Sequence, residues 1–379
     1  MEKRKMEQLG IETSLLGFGC MRFPTTADGN IDEDQAEKML DAAYDAGVNY
    51  FDTAYNYHGG KSEVMAGKAL AKHDRSSFFL ATKLPVWLVE KKEDVAKLLN
   101  EQLSRLNMEY VDFYLLHALN LDRWENVKKN HVLEACEELR KQGKIRYLGF
   151  SFHDKYEVFE EILNAYHWDF CQIQYNYMDT EEQAGDKGYA LAKEKGIPMV
   201  VMEPVRGGSL AGFSPEINQR FQEADPNASI ASYALRWVGS HSNVKVVLSG
   251  MSNMEQAMDN CKTFGDFRPL DQREESMIEG VAKALRSRIK NGCTGCSYCM
   301  PCPVGVNIPG SFRAWNEYHM YGSYSTVQFQ WEQALTEETK PKNCVECGKC
   351  ESACPQHLSI RADLKVVQKE LDKAKEAAE

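Results

Sequence analysis

Through its first 290 residues the chain alternates short, almost continuously apolar runs with longer stretches in which apolar residues recur every three or four positions. The runs are 15–21 (LLGFGCM), 48–53 (VNYFDT), 78–84 (FFLATKL), 111–117 (VDFYLLH), 146–151 (RYLGFS), 170–175 (FCQIQY), 198–203 (PMVVME) and 244–249 (VKVVLS). Each has the length of one strand and is too apolar to leave a face in water, so they predict parallel strands covered on both sides. The periodic stretches predict helices over Asp32–Ala46, Glu93–Leu106, Val132–Lys141, Glu182–Lys195 and Asn227–Val238. Gly47 and Gly196 stop two of these, and Pro226 precedes the last. Eight strand–helix alternations predict an α/β protein built on a closed (β/α)8 TIM barrel. An open doubly wound sheet would want Gly-x-Gly-x-x-Gly after its first strand, and none is there. Arg4–Thr13, centred on Leu9-Gly10, reads as a hairpin ahead of the barrel.

Past this region the pattern gives way to cysteine. The chain writes Cys293-Thr-Gly-Cys296-Ser-Tyr-Cys299-Met-Pro-Cys302-Pro303 and then Cys344-Val-Glu-Cys347-Gly-Lys-Cys350-Glu-Ser-Ala-Cys354-Pro355. The second run has the spacing in which three close thiolates hold one iron–sulfur cluster and the fourth serves the other. Zinc is the main competitor, but its four-cysteine sites usually form two separated Cys-x2-Cys knuckles, whereas these cysteines are bunched on tight loops of backbone amides. Disulfides are the third reading. The chain opens Met1-Glu-Lys-Arg-Lys with no apolar signal-like stretch, so a cytoplasmic location and reduced thiols are expected. Cys20, Cys136, Cys171 and Cys261 are scattered and read as buried structural thiols.

Composition narrows the rest. A chain of 379 residues with 43% hydrophobic and 27% charged content suits a soluble globule of two domains, 1–288 and 289–379. No apolar run approaches the ~18 residues of a membrane span. A net charge of −11 without a basic stripe speaks against nucleic acid or an anionic membrane as main partner. The cysteine-rich part has too little apolar sequence to fold by burial alone, so bound clusters would supply folding free energy as well as chemistry.

A barrel does its chemistry at the C-terminal ends of its strands, and Asp52, Lys83, His117, Ser151, Gln174 and Glu203 close the predicted runs there. A buried Asp facing a Lys forms an ion pair, and a Tyr beside that cation is expected to titrate below its free value near ~10. Tyr55, Tyr57 and His58 follow Asp52 within one loop. Such a tyrosine could hand a proton to a carbonyl oxygen. Taken singly, each of these is as readily a satisfied polar residue at a strand end.

Taken in order, Phe51-Asp52-Thr53-Ala54-Tyr55-Asn56-Tyr57 with Ser62-Glu63, Ala81-Thr82-Lys83, Leu115-Leu116-His117, Gly149-Phe150-Ser151 and Gln172-Ile173-Gln174-Tyr175-Asn176 resemble the motifs of the aldo/keto reductases from about Met6 to about Asn260. The resemblance implies an NAD(P)H-dependent oxidoreductase that reduces a carbonyl or, in reverse, oxidises an alcohol. Tyr57 would be its general acid, Lys83 the group lowering the tyrosine's pKa, Asp52 the partner of Lys83, and His117 the residue orienting a small carbonyl substrate. It also implies a dinucleotide lying across the barrel mouth, with Ser151 and Gln174 on the carboxamide and Gly19 and Met21 in the loop after the first strand. Glu203, Val205 and Gly207 would follow the seventh strand, and Gly250, Ser252, Gln256 and Asn260 would surround the adenosine. Three departures stand out. Ser151-Phe152-His153 stands where Ser-Asn is common; Met202-Glu203-Pro204 stands where a stacking aromatic is common; Gly250 and Gln256 stand where Lys and Arg neutralise a 2′-phosphate, leaving NADH and NADPH both open.

The barrel with its two cysteine runs resembles the ferredoxin-type branch of that family. Phe312–Leu335, carrying Trp315, Tyr318, Tyr321, Phe329 and Trp331, reads as helical core, which implies a small, mainly α-helical dicluster ferredoxin-like domain. The expected pairing is Cys293, Cys296, Cys299 and Cys354 on one 4Fe-4S cluster, and Cys344, Cys347, Cys350 and Cys302 on the other. Nicotinamide moves two electrons and a cluster one, so a flavin is a further candidate cofactor and a redox protein a candidate partner. The competing reading is an electron-transfer or nucleotide-sensing protein whose barrel binds without carbonyl turnover.

Overall fold

The computed structural model describes residues 1–378. A hairpin comes first, β1 (Lys3–Met6) paired antiparallel with β2 (Ile11–Ser14). Its turn ends on Gly10 at φ 65°, a left-handed position that costs glycine little. Eight strands then close into a barrel: β3 (Leu16–Gly19), β4 (Tyr50–Asp52), β5 (Phe79–Leu84), β6 (Val111–Leu119), β7 (Ile145–Phe152), β8 (Phe170–Gln174), β9 (Met199–Met202) and β10 (Val244–Gly250). All neighbours are parallel, and β10 closes on β3 with Gly250 opposite Gly19. Each apolar run coincides with one of these strands to within two residues at either end.

The five expected helices are Glu33–Asp45, Lys92–Leu106, Val132–Lys141, Gly185–Glu194 and Ile230–Gly239. Asp32 caps the first, its carboxylate accepting from the Gln35 amide at 3.1 Å. The fourth starts at Gly185 rather than Glu182, because Gln183 stands at φ 54°, outside the helical region.

Two apolar layers hold the barrel. Inside it, Tyr50, Phe113, Phe170, Val200 and Val246 pack with Met6 of the hairpin. Gly149 must be glycine here, since a Cβ would fall 2.6 Å from the Phe170 ring. This inner cluster gathers toward the strand starts, so the hairpin plugs the N-terminal end and the polar strand ends emerge opposite it. A larger outer layer, with Leu80, Leu116, Phe150, Phe159 and Val201, joins strands to helices.

Met1–Arg206 with Ala231–Asp271 form one compact unit, and Gly207–Ile230 with Gln272 onward form another. Residues 207–230 and 272–288 thus gather with the cysteine-rich part, and helix Pro215–Ala224 packs on helix Gln272–Arg286. The second unit is largely helical around a core of Val306, Phe312, Trp331, Leu364 and Leu371, with six of the cluster-type cysteines packed against it. Its helix Ile308–Tyr321 ends at Gly322, in the left-handed conformation, so helicity over 312–335 is interrupted; a short turn at Tyr324–Thr326 and a wide turn at Gln330–Ala334 follow. Trp315, Tyr321 and Trp331 are buried as expected, but Phe329 is 69% exposed and no part of the core.

Candidate active site

The ends of β4 and β5 bring together two groups of opposite charge. Lys83 is fully buried, and its Nζ donates to Asp52 Oδ1 at 2.6 Å and to the Thr53 carbonyl at 2.7 Å. Burial alone pulls the Lys83 pKa down, but the Asp52 carboxylate and the nearby Tyr57 push it up, and the net direction is upward. Burial raises Asp52, with Lys83 pulling the other way. The pair therefore stays ionic because each member supplies what water would have supplied. The second Asp52 oxygen, Oδ2, is buried without a hydrogen-bond partner among the described residues.

The loop after β4 delivers a tyrosine to this pair. Tyr57 opens a turn in which His58, Gly59 and Gly60 stand at φ 49°, 63° and 90°, reversing the chain into helix Lys61–Leu70. Two of the three are glycine, and His58 bears the strain of the third. Lys83 Nζ lies 4.9 Å from the Tyr57 ring centre. Tyr55, by contrast, sends its hydroxyl to Glu101 at 3.3 Å and lies under the Arg105 guanidinium. The expectation that Tyr57 titrates below its ordinary value is not met: burial raises it, and Lys83, which does pull the phenol down, is outweighed, with Asp52 acting against it as well. Tyr57 is held as a phenol, which is the proton-bearing form.

His117, near the end of β6, sits with its ring 6.0 Å from that of Tyr57 and 5.3 Å from Trp87. Burial first, then the charges of Lys83, His153 and Arg123, hold it well below the usual histidine range, so the imidazole is neutral. Its Nδ1 is buried and unpartnered. Tyr57, Lys83, Asp52 and His117 thus form one group in which a phenol and an uncharged imidazole stand over a buried cation. Such a group can give a proton from the phenol, and donate a hydrogen bond from the imidazole N–H, to a carbonyl oxygen placed between the two rings.

The other expected positions divide into two places. Ser151 Oγ accepts from the Ala118 amide at 2.7 Å. Gln174 donates to Asp179 at 2.8 Å and accepts from Gln183 at 3.1 Å. Glu203, at φ 56°, takes a hydrogen bond from Asn176 on its carbonyl, and Val205 is partly buried. Arg206 pairs with Asp179 at 3.0 Å. Around the end of β10, Gly19 faces the Ser249 carbonyl, Asn260 donates to Ser249 Oγ at 2.8 Å, and Gln256 accepts from the Ser252 amide at 2.8 Å. Arg22 lies against Gly250, and Met21 is exposed. Gly207 belongs to the second unit, at φ 63°. Sequence reasoning missed Trp87 and Arg123. Trp87 follows Lys83-Leu84-Pro85 directly and could have been found from that placement; Arg123 lies on a helix with no such marker.

In the second unit the cysteines frame two cavities. One, of about 360 Å³, is lined by Cys302, Cys344, Cys347 and Cys350; the other, of about 320 Å³, by Cys293, Cys296 and Cys354; Cys299 borders both. Among the described residues no three His, Cys, Asp or Glu groups converge as they would on a single ion. The two loops share a backbone device. Gly295 and Ser297 flank Cys296 at φ 70° and 63°, and Glu346 and Gly348 flank Cys347 at φ 56° and 75°. Left-handed residues on both sides of a central cysteine turn successive amides toward one side, as an anionic cluster requires. Cys20, Cys136, Cys171 and Cys261 are buried, away from these loops in sequence.

Residues 15–283 match the aldo/keto reductase family, and residues 292–358 match the 4Fe-4S dicluster domain. An uncharacterized oxidoreductase of Bacillus subtilis, YqkF, is 27% identical over 320 residues, covering 76% of this chain and 97% of that protein. The L-galactose dehydrogenase of Arabidopsis thaliana is 24% identical over 311 residues, covering 77% and 96%. Among solved structures, the holo form of an aldo-keto reductase from Bacillus halodurans superposes with a TM-score of 0.62 at 28% identity, covering 74% of this chain and 96% of that one. One from Klebsiella pneumoniae in complex with NADPH gives a TM-score of 0.62 at 22% identity, with coverage of 74% and 96%.

The ion pair makes a stability prediction. Lys83→Met strands the Asp52 carboxylate in the barrel and should cost roughly 3–5 kcal/mol in chemical denaturation, while Asp52→Asn together with Lys83→Met should recover most of that loss. Losses that simply add would mean the two residues do not act as a pair.

Proposed function

The chain belongs to the aldo/keto reductase family, and from that premise we propose that its barrel reduces a small carbonyl compound with NAD(P)H, or runs the reverse oxidation, using Tyr57 as proton donor. The single observation that carries this reading is the buried Lys83–Asp52 pair beneath the Tyr57 phenol. The carbonyl oxygen would sit between Tyr57 and the neutral His117, which orients it. As negative charge grows on that oxygen, the Lys83 cation becomes worth more, and the Tyr57 proton moves across to give the alcohol. In the reverse direction Tyr57 takes the proton back.

A nicotinamide dinucleotide, when bound, supplies or receives the hydride. Ser151 keeps its hydroxyl proton free to donate, because its Oγ only accepts from Ala118, and Gln174 retains one N–H and one lone pair. Gly19, Gly250, Ser252, Gln256 and Asn260 would flank the adenosine end. Lys and Arg are absent at 250 and 256, and Arg22, lying against Gly250, is the cation closest to hand for a 2′-phosphate. Arg206 pairs with Asp179 rather than facing that end.

The second unit would hold two 4Fe-4S clusters, one in each cysteine-lined cavity, with Cys302 and Cys354 crossing between the two runs. They would pass single electrons to or from a redox partner protein. Linking them to hydride chemistry requires a carrier such as a flavin.

Two measurements test these readings. Tyr57→Phe should lower kcat for carbonyl reduction by about 10²- to 10⁴-fold while leaving the protein folded; unchanged turnover would contradict the assignment. Cys302→Ser should lower iron from about eight to about four atoms per chain and disturb only the cluster of Cys344, Cys347 and Cys350, whereas Cys354→Ser should disturb only the other. EPR and metal analysis of anaerobically prepared protein decide this, and stoichiometric zinc in place of iron would contradict it.

A further inference from the structure

We propose that Arg123 binds a carboxylate on the carbonyl substrate, so that this barrel selects oxoacids over neutral aldehydes and ketones. The inference rests on the carbonyl reading above and names its substrate class.

Arg123 is fixed beside the catalytic histidine by three contacts. Its backbone amide donates to the Asn120 side chain at 2.9 Å, as part of the cap that starts helix Leu121–Lys129. Its Nη1 donates to the Ala118 carbonyl at 2.7 Å, one residue past His117. Its guanidinium carbon lies 4.9 Å over the Trp87 ring, and that ring lies 5.3 Å from the His117 ring. Tyr57, His117, Trp87 and Arg123 therefore form a continuous series of contacts leading away from the proton donor.

The charge on Arg123 is unspent. Among the described residues its Nε and Nη2 make no hydrogen bond and no carboxylate stands within ion-pair distance, although the side chain is half-buried. Glu90 and Asp122 line the same open groove beside Trp87, as do Asn126 and Lys129, yet neither acid pairs with it. Its free N–H groups present a planar fork of donors that an anion can take over from solvent. A carboxylate matches that fork with two parallel hydrogen bonds. The wall is also built in advance: Asn126 Nδ2 donates to the carbonyls of Val86 and Val89 at 2.8 and 3.0 Å, and Asn130 donates to Val89 at 3.1 Å, tying the Trp87 loop to the helix that carries Arg123. The position of the arginine also helps keep His117 neutral.

The test compares 4-carboxybenzaldehyde with its methyl ester as substrates for the full-length, cluster-loaded enzyme. In Arg123→Gln the ratio of kcat/KM, acid over ester, should fall roughly 10- to 100-fold, chiefly through KM, and Arg123→Lys should restore part of it. A ratio that moves less than about twofold in Arg123→Gln would overturn the proposal. Calorimetric binding of 4-carboxybenzaldehyde separates this from the reading it rests on. If neither aldehyde turns over, carbonyl reduction is wrong, but binding at least about tenfold weaker in Arg123→Gln would still support the carboxylate site, and equal binding would overturn it.

Discussion

The barrel mouth is organised around one buried ion pair. Lys83 and Asp52 leave water together at the ends of adjacent strands, and neither could be there alone. Their mutual attraction does more than offset desolvation. It fixes a cation under Tyr57 and beside His117: burial keeps the phenol protonated against that cation's pull, and burial together with the cation keeps the imidazole uncharged. In the proposed reaction the charge appears only as the oxyanion forms, and Lys83 and Tyr57 would then face it with Asp52 behind them.

Much of this was legible in the amino-acid order because it is local. Strands covered on both faces must be apolar throughout, and eight such runs read directly as a barrel. Polar residues at or near the ends of six of the runs point to the candidate site at that end of the barrel. Cysteines bunched at steps of three identify their metal chemistry before any fold is known. What escaped was whatever depends on surroundings rather than neighbours. The direction of the Tyr57 shift turns on burial set by distant chain segments, and charge spacing alone suggested the opposite. Phe329 looks like core by type, yet in the turns after Gly322 it is Val327 and Trp331 that face the core while Phe329 between them faces out. Arg123 lies six residues past His117 on an otherwise ordinary amphipathic helix, and only its stacking on Trp87 reveals it.

The two units solve similar electrostatic problems by different means. In the barrel, buried charge is balanced by a side chain of opposite sign. In the cysteine-rich unit the devices are left-handed residues on both sides of Cys296 and Cys347, a backbone form suited to turning amides toward an anion, and one arginine, Arg361, lining the cavity of Cys344, Cys347 and Cys350. Iron–sulfur centres held this way would stabilise the unit as well as serve it, since its apolar core is small.

The protonation state of Tyr57 is where the account is most exposed. Protein labelled with carbon-13 at the tyrosine Cζ, with the Tyr57 resonance assigned by its loss in Tyr57→Phe, can be titrated by NMR. Its phenolate midpoint should lie above pH 10, because burial raises the Tyr57 pKa above its ordinary value of 10.0. A phenolate midpoint at or below about pH 8 would contradict it, and would mean that Lys83 acts on Tyr57 as an unbalanced cation.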